Sequence, residues 1–405
     1  MGYIQTAFKG ISWMAALRAV TRALAVVKTA ILARILLPAQ FGIYGIATLV
    51  LGFLESITET GINIFLIQEK DEVDAYINSA WVVSILRGII ISLLILFLSP
   101  FIASFFSSPN AKDILMLTSL VPLIRGFINP ASVKFQKNLQ FSKQFYYDSS
   151  LFLIDTIVAI SLTLVTYSEN SLIWGMIVAA LVEVVISFTI FSPKPKLLFN
   201  KEKVMKVINR GKWITGAGVF NYMFLNLDDI LVGKILGSAS LGLYQQAYRI
   251  SSLPVSEVGE VFNKVTFPIY ATIESDKVRL KSAFLKTLGV ISLFVVPFGL
   301  LLYIFPDLII TVLLGSNWLE VVPVLKVLAI FGVVKAILSS FFSLFLALKK
   351  QEIVTLVTFV SILFMAITIF PFVSRYGLIG AGWSAIISTI LTFPFVIYYF
   401  FKLTK

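Results

Sequence analysis

The chain has 405 residues, 58% of them apolar and 13% charged, with 33 Lys and Arg against 21 Asp and Glu. Soluble domains hold about 45–50% apolar and about 25% charged residues, so these proportions and a mean hydropathy of +0.95 exclude an ordinary soluble globule. Cys and His are both absent, which removes disulfides, thiolate metal sites, thiol nucleophiles and any catalysis that needs an imidazole, so no metal and no cofactor is expected.

A helix that crosses about 30 Å of hydrocarbon needs roughly 20 apolar residues. Twelve runs of that kind follow one another, which predicts an all-α integral membrane protein of about twelve spans. The first, 10–36, carries Arg18, Arg22 and Lys28 and lacks a small-residue cleavage pattern, so it reads as a span and not as a signal peptide. The second, 42–66, holds Glu55 and Glu59. Arg87 lies in the third (78–106), Arg125 in the fourth (114–133), Asp155 in the fifth (146–167) and Glu183 in the sixth (171–191). A basic loop, 193–212, precedes the seventh run, 213–236, which has Asp228 and Asp229 close to its outer end. The eighth, 241–270, carries Arg249, Glu257, Glu260 and Lys264. The ninth, 284–314, is too long for one straight span, and Pro306 marks its end. Lys335 lies in the tenth (321–347); 353–373 and 378–401 complete the set.

Lys and Arg give the orientation. With the N-terminus inside, the inner segments hold nineteen basic residues and the outer loops two, Lys112 and Arg375. That asymmetry predicts cytoplasmic N- and C-termini in a multi-pass protein of the cytoplasmic membrane. It also accounts for the net charge of +12 without a nucleic-acid partner.

The chain repeats itself at an offset of 200. Ile35/Ile235, Leu36/Leu236, Gly42/Gly242 and Tyr44/Tyr244 are identical, Arg34 and Lys234 match in charge, and Trp13 aligns with Trp213. Two six-helix lobes are expected, 1–192 and 213–405, joined by the basic linker 193–212. Six is even, so the repeat is parallel, with a pseudo-twofold axis along the membrane normal.

Charge within a span is unfavourable by at least about 2.5–3.5 kcal/mol on insertion scales, and such residues face protein or water. At about 100° per residue, Arg249, Glu257, Glu260 and Lys264 fall within about 80° of one another, one polar stripe. Arg18 and Arg22 share a face of the first span, with Lys28 about 80° to the side. No acid accompanies them on that helix. A hydrated central cavity with surplus cations is expected, suited to an anion and, through the planar guanidinium fork, to phosphate. Its candidate cations are Arg18, Arg22, Lys28, Arg249, Arg87, Arg125, Lys264 and Lys335. Glu55, Glu59, Asp155, Glu183, Glu257 and Glu260 are candidates for ion coupling or for ion pairs. Glu260 with Lys264, and Arg22 with Glu55 or Glu59, are the pairings that spacing allows. No Walker motif is present, so ATP hydrolysis is not expected.

Several stretches resemble one family. ARILLPAQFGIYG at 33–45, INSAW at 77–81, VKFQKNLQF at 133–141, DDILVGKILGSASLGLYQQAYRISSLP at 228–254 and FPIYATI at 267–273 are similar to the polysaccharide flippases. These are the O-antigen, colanic acid and teichuronic acid exporters of the multidrug/oligosaccharidyl-lipid/polysaccharide superfamily. The resemblance implies a MATE-like fold of two lobes around a cationic cavity. It implies translocation of a polyprenyl-pyrophosphate-linked oligosaccharide to the outer leaflet by alternating access. Arg18, Arg22, Lys28 and Arg249 match positions where such flippases carry cavity charge. Membrane lipid, H+ or Na+ as coupling ion, and other polysaccharide-assembly proteins are the partners it implies. Some relatives have two further C-terminal spans, whereas twelve are read here. The alternatives are an ion-coupled drug antiporter of the same superfamily, which favours an acidic cavity, and a membrane polymerase or ligase, which needs a large outer loop.

Overall fold

The structure, a computed structural model, describes residues 3–59, 61–68, 74–198 and 200–404; within these, the side chains of 3–8, 64–65, 201, 203, 206–217, 224, 254–265 and 268 are left out of the description. Among the described residues every regular element is helical, as the hydrocarbon demands of backbone groups that find no water. Among the described residues, seven helices are long and apolar enough to cross a membrane, or eight if one bent pair counts as a span.

The chain divides into two compact units, Met1–Asn226 and Leu227–Lys405. The first begins with α1 (Tyr3–Ala33), α2 (Pro38–Ile57), the short α3 (Ile62–Gln68) and α4 (Asp74–Phe105). Pro38 opens α2 with its φ already set, and the Gln40 side chain accepts a hydrogen bond from the free Leu37 N–H at 2.9 Å. The second apolar run thus contains two helices, because the polar break after Ile57 is too short to divide the hydropathy on either side of it, and Gly61 turns the backbone at φ 59°.

The fourth run is a broken span. Segment Ala111–Arg125, made of α5 (Ala111–Thr118) and α6 (Leu120–Arg125), meets Pro130–Lys137 at 71°. The break sits at Asn129–Pro130, where a proline follows a residue held in extended conformation. Asn129 is fully buried and makes the corner itself. Its side chain accepts from Ala131 N–H and donates to the Pro193 carbonyl, and its own N–H donates to Ser187. After α7 (Lys134–Lys137), α8 (Phe141–Thr166) and α9 (Asn170–Ile190) form a hairpin, and α1 packs along α8.

Helix α10 (Lys201–Thr272) runs from the first unit into the second and breaks at Gly237, φ 84° and ψ 178°. That conformation suits glycine and strains other residues. The seventh and eighth apolar runs are its two arms. In the second unit follow α11 (Lys277–Ile304), α12 (Pro306–Leu313), α13 (Val322–Ala347), α14 (Gln351–Ile390) and α15 (Phe393–Thr404). Pro306 starts a new helix as expected. Gly377, φ 58°, breaks α14 between the eleventh and twelfth runs. The second unit's core joins Phe284, Phe341, Phe345, Val396 and Phe400, and Phe284 lies 4.8 Å from Phe341 and 4.9 Å from Phe400, ring to ring. Outward side chains are large and apolar: Phe97, Phe101, Leu293 and Phe370 are among the most exposed, as lipid contact requires.

Candidate functional site

In the first unit, α1 meets α8 through Trp13, which lies against Phe145 and Tyr146, and through Leu17 and Lys28. On a helical wheel these three span about 60°. Arg18 and Arg22 point about 80–180° away from that face, and both are exposed midway along the helix. Lys28 does something different. Its Nζ lies 2.6 Å from Asp155 Oδ2 on α8, and the two side chains are only 11% and 15% exposed. This buried pair neutralises both charges. Asp155 Oδ1 is buried with no hydrogen-bond partner, and Gly175 of α9 presses against it so closely that a Cβ there would come within 2.7 Å.

Glu55 of α2 and Glu59, just past its end, are matched by arginines from neighbouring helices. Arg125 Nη1 is 3.3 Å from Glu55 Oε1. Arg87 donates to the Glu55 carbonyl (2.8 Å) and to Thr58 Oγ1 (3.2 Å), and its Nη2 stands 3.6 Å from Glu59 Oε2. Glu59 Oε1 also accepts from Gly61 N–H. The cluster is half-buried and ties α2 to α4 and α6. Glu183 of α9 accepts a hydrogen bond from Tyr147 of α8 at 3.4 Å.

The second unit holds a polar network across the Gly237 break. Tyr244 donates to Asp228 Oδ2 (2.9 Å), and the Gln245 amide donates to Asp229 Oδ2 (3.2 Å). Asp228 is 4% exposed and Asp229 is half-buried, so of the two acids placed near the span's outer end by sequence, Asp228 is enclosed by protein. Lys335 of α13 donates to Tyr248 Oη at 2.7 Å and lies over the Tyr248 and Phe331 rings, 5.2 and 5.4 Å from their centroids. Arg249 is exposed. The side chains of Glu257, Glu260 and Lys264 lie outside the described residues.

Among the candidate cations, Lys28 meets a buried acid, Arg87 and Arg125 meet the Glu55–Glu59 segment, and Lys335 meets aromatic rings. The structure presents Arg18, Arg22 and Arg249 at the surface of their helices. Sequence reasoning did not give the Asp228–Tyr244 and Asp229–Gln245 pairs a role. The signal was a shared spacing of sixteen residues around a glycine, which becomes meaningful only once Gly237 folds the two arms together.

A family model described as a polysaccharide biosynthesis protein matches residues 31–323. The chain belongs to that family. This polysaccharide biosynthesis protein is 24% identical over 357 residues to the lipopolysaccharide biosynthesis protein WzxC of Escherichia coli (strain K12), covering 87% of this chain and 72% of WzxC. It is 24% identical to the teichuronic acid biosynthesis protein TuaB of Bacillus subtilis (strain 168), covering 84% and 71%. Among solved structures it resembles the lipid II flippase MurJ in an inward closed conformation, with a TM-score of 0.77 at 16% identity over 97% of this chain and 90% of MurJ. An inward-facing multidrug resistance MATE family transporter of the MOP superfamily aligns with a TM-score of 0.67 at 13% identity over 95% of each chain. The fold is therefore helical and MATE-like, in a multi-pass membrane protein.

Proposed function

We propose that this family member is a flippase that carries a polyprenyl-pyrophosphate-linked oligosaccharide from the cytoplasmic to the outer leaflet of the cytoplasmic membrane by alternating access, with both termini in the cytoplasm. The observation that carries the reading is the placement of Arg18 and Arg22, exposed halfway along α1 on a side turned from α8. Charges at that depth face water and not lipid. Two guanidinium forks one turn apart suit a diphosphate, since each offers bidentate donors to phosphate oxygens. Arg249 supplies a further exposed guanidinium, and the head group would be held in a cationic cavity. The names of WzxC and TuaB, which place them in the assembly of lipopolysaccharide and teichuronic acid, support a glycan as cargo. The lobes 1–192 and 213–405, joined by 193–212, are the bodies that would move. Coupling to H+ or Na+ belongs to the same proposal, and Asp155, with one oxygen lacking a partner, is its candidate.

The test is glycan export in a strain deleted for the gene and complemented with variants at matched membrane levels. Arg18→Ala and Arg249→Ala are expected to reduce surface glycan by about tenfold or more, as the loss of a charge-assisted contact worth about 1.5–3 kcal/mol implies. Unchanged surface glycan in both variants would remove the basis of the proposal.

A further inference from the structure

At the start of α11 the surface carries a hollow of about 460 Å³ lined by Val278, Lys281, Ser282, Leu285 and Lys286. Most basic groups around it are already engaged. Arg279 pairs with Asp276, Lys349 with Glu274 and Lys350 with Glu352, while Lys277 donates to the Glu274 carbonyl. Lys281 and Lys286 meet no carboxylate among the described residues; Lys281 instead lies 5.5 Å from the centre of the Phe401 ring. About 100° per residue places Lys281 and Lys286 on the two flanks of one face, with Val278, Leu285 and Ser282 between them.

The same face continues into the bilayer as a lipid-shaped track. Leu285, Gly289, Leu293, Val296 and Leu300 fall within about 80° of one another, and the four side chains are 50%, 70%, 38% and 52% exposed. Gly289 makes a notch: nothing lies within 4 Å of where its Cβ would be. From Leu285 to Val296 the helix rises about 16 Å at 1.5 Å per residue, close to half of a hydrocarbon core of about 30 Å. Tyr398 and Phe401 of α15, both exposed, stand beside the basic end, where interfacial aromatics belong.

We propose that this face binds an anionic phospholipid. The phosphodiester sits between the Lys281 and Lys286 ammonium groups with Ser282 as a hydroxyl donor, and one acyl chain runs along Leu285, the Gly289 notch and Leu293. Two unpaired ammonium groups select against a zwitterionic head group, and the apolar track selects against a free anion. The site shares no residue with the arginines assigned to the cargo, so its test does not depend on what the protein carries.

Native mass spectrometry of the purified full chain tests this with phosphatidylglycerol, phosphatidylcholine and inorganic phosphate as probes. Phosphatidylglycerol is expected to bind in preference to phosphatidylcholine. Lys281→Gln with Lys286→Gln should weaken it by roughly 20- to 30-fold, from about 1 kcal/mol per lysine. Arginine at both positions should retain binding, and Lys194→Gln with Lys196→Gln in the basic linker should leave it unchanged. Gly289→Leu, which keeps both lysines and fills the notch, should also weaken it, and this variant decides the matter if the double lysine variant does not purify. Binding left unchanged by the lysine and Gly289 substitutions, equal affinity for phosphatidylcholine, or displacement of the lipid by inorganic phosphate would each overturn the proposal.

Discussion

Lys28 shows how a single side chain changes meaning between sequence and structure. On α1 it stands with Arg18 and Arg22 on a helix that has no acid. The partner, Asp155, comes from α8, 127 positions along the chain, and no helical spacing reveals it. An ammonium and a carboxylate that are this enclosed depend on each other. Removing one leaves the other uncompensated, which typically destabilises by about 3–5 kcal/mol, whereas removing both is far less harmful. Lys28→Ala and Asp155→Ala are each expected to lower the thermal midpoint of the detergent-purified protein markedly, and the double variant to recover much of the loss. Additive losses in such a double-mutant cycle would show that the two groups do not depend on each other. Lys335, like Arg18 and Arg22, stands out in the sequence by its depth alone, whereas the Tyr248 hydroxyl that accepts its hydrogen bond lies on another helix, 87 positions away, and no spacing reveals it.

Helices are where hydropathy serves best. The breaks at Gly237 and Gly377 fall between apolar runs, and Pro306 opens a new helix where the ninth run becomes too long. Hydropathy misses short polar turns flanked by apolar sequence, such as the one before Gly61, and corners such as Asn129–Pro130, where buried side chains replace water as hydrogen-bond partners. Helix contacts in lipid rely on small residues that let backbones approach. At Gly88 a Cβ would collide with the Pro122 carbonyl and stand 3.2 Å from Gly126 Cα. Backbone cannot yield as a side chain does, so Gly88→Ala should part α4 from α6 and destabilise by about 1–3 kcal/mol. Gly289→Ala points into open space and should be neutral or gain up to about 1 kcal/mol of helix propensity. Thermal midpoints of the two variants separate these outcomes, and equal midpoints would contradict the packing described for α4 and α6.

For the whole molecule, sequence carried the membrane class, the helical fold and the family, because lipid imposes a length and a polarity that few other environments do. The arrangement of charges relative to water depends on tertiary neighbours and was only partly readable. Orientation rests on nineteen basic residues against two. The absence of Cys makes it directly testable by single-cysteine labelling. In whole cells with a permeable outer layer, a membrane-impermeant maleimide should label Lys112→Cys and leave Lys196→Cys unlabelled until the membrane is opened. The reverse pattern would invert the direction of transport proposed here.

The central claim is that exposed arginines in the membrane take the diphosphate of a lipid-linked glycan from one leaflet to the other. Its most direct measurement is translocation in proteoliposomes holding only the purified protein and a fluorescent polyprenyl-pyrophosphate oligosaccharide, with leaflet exposure read by an impermeant quencher. Translocation is expected well above that of protein-free vesicles, reduced about tenfold or more by Arg18→Ala with Arg22→Ala. Failure to move the lipid under any imposed ion gradient, or equal rates with and without the two arginines, would contradict the claim.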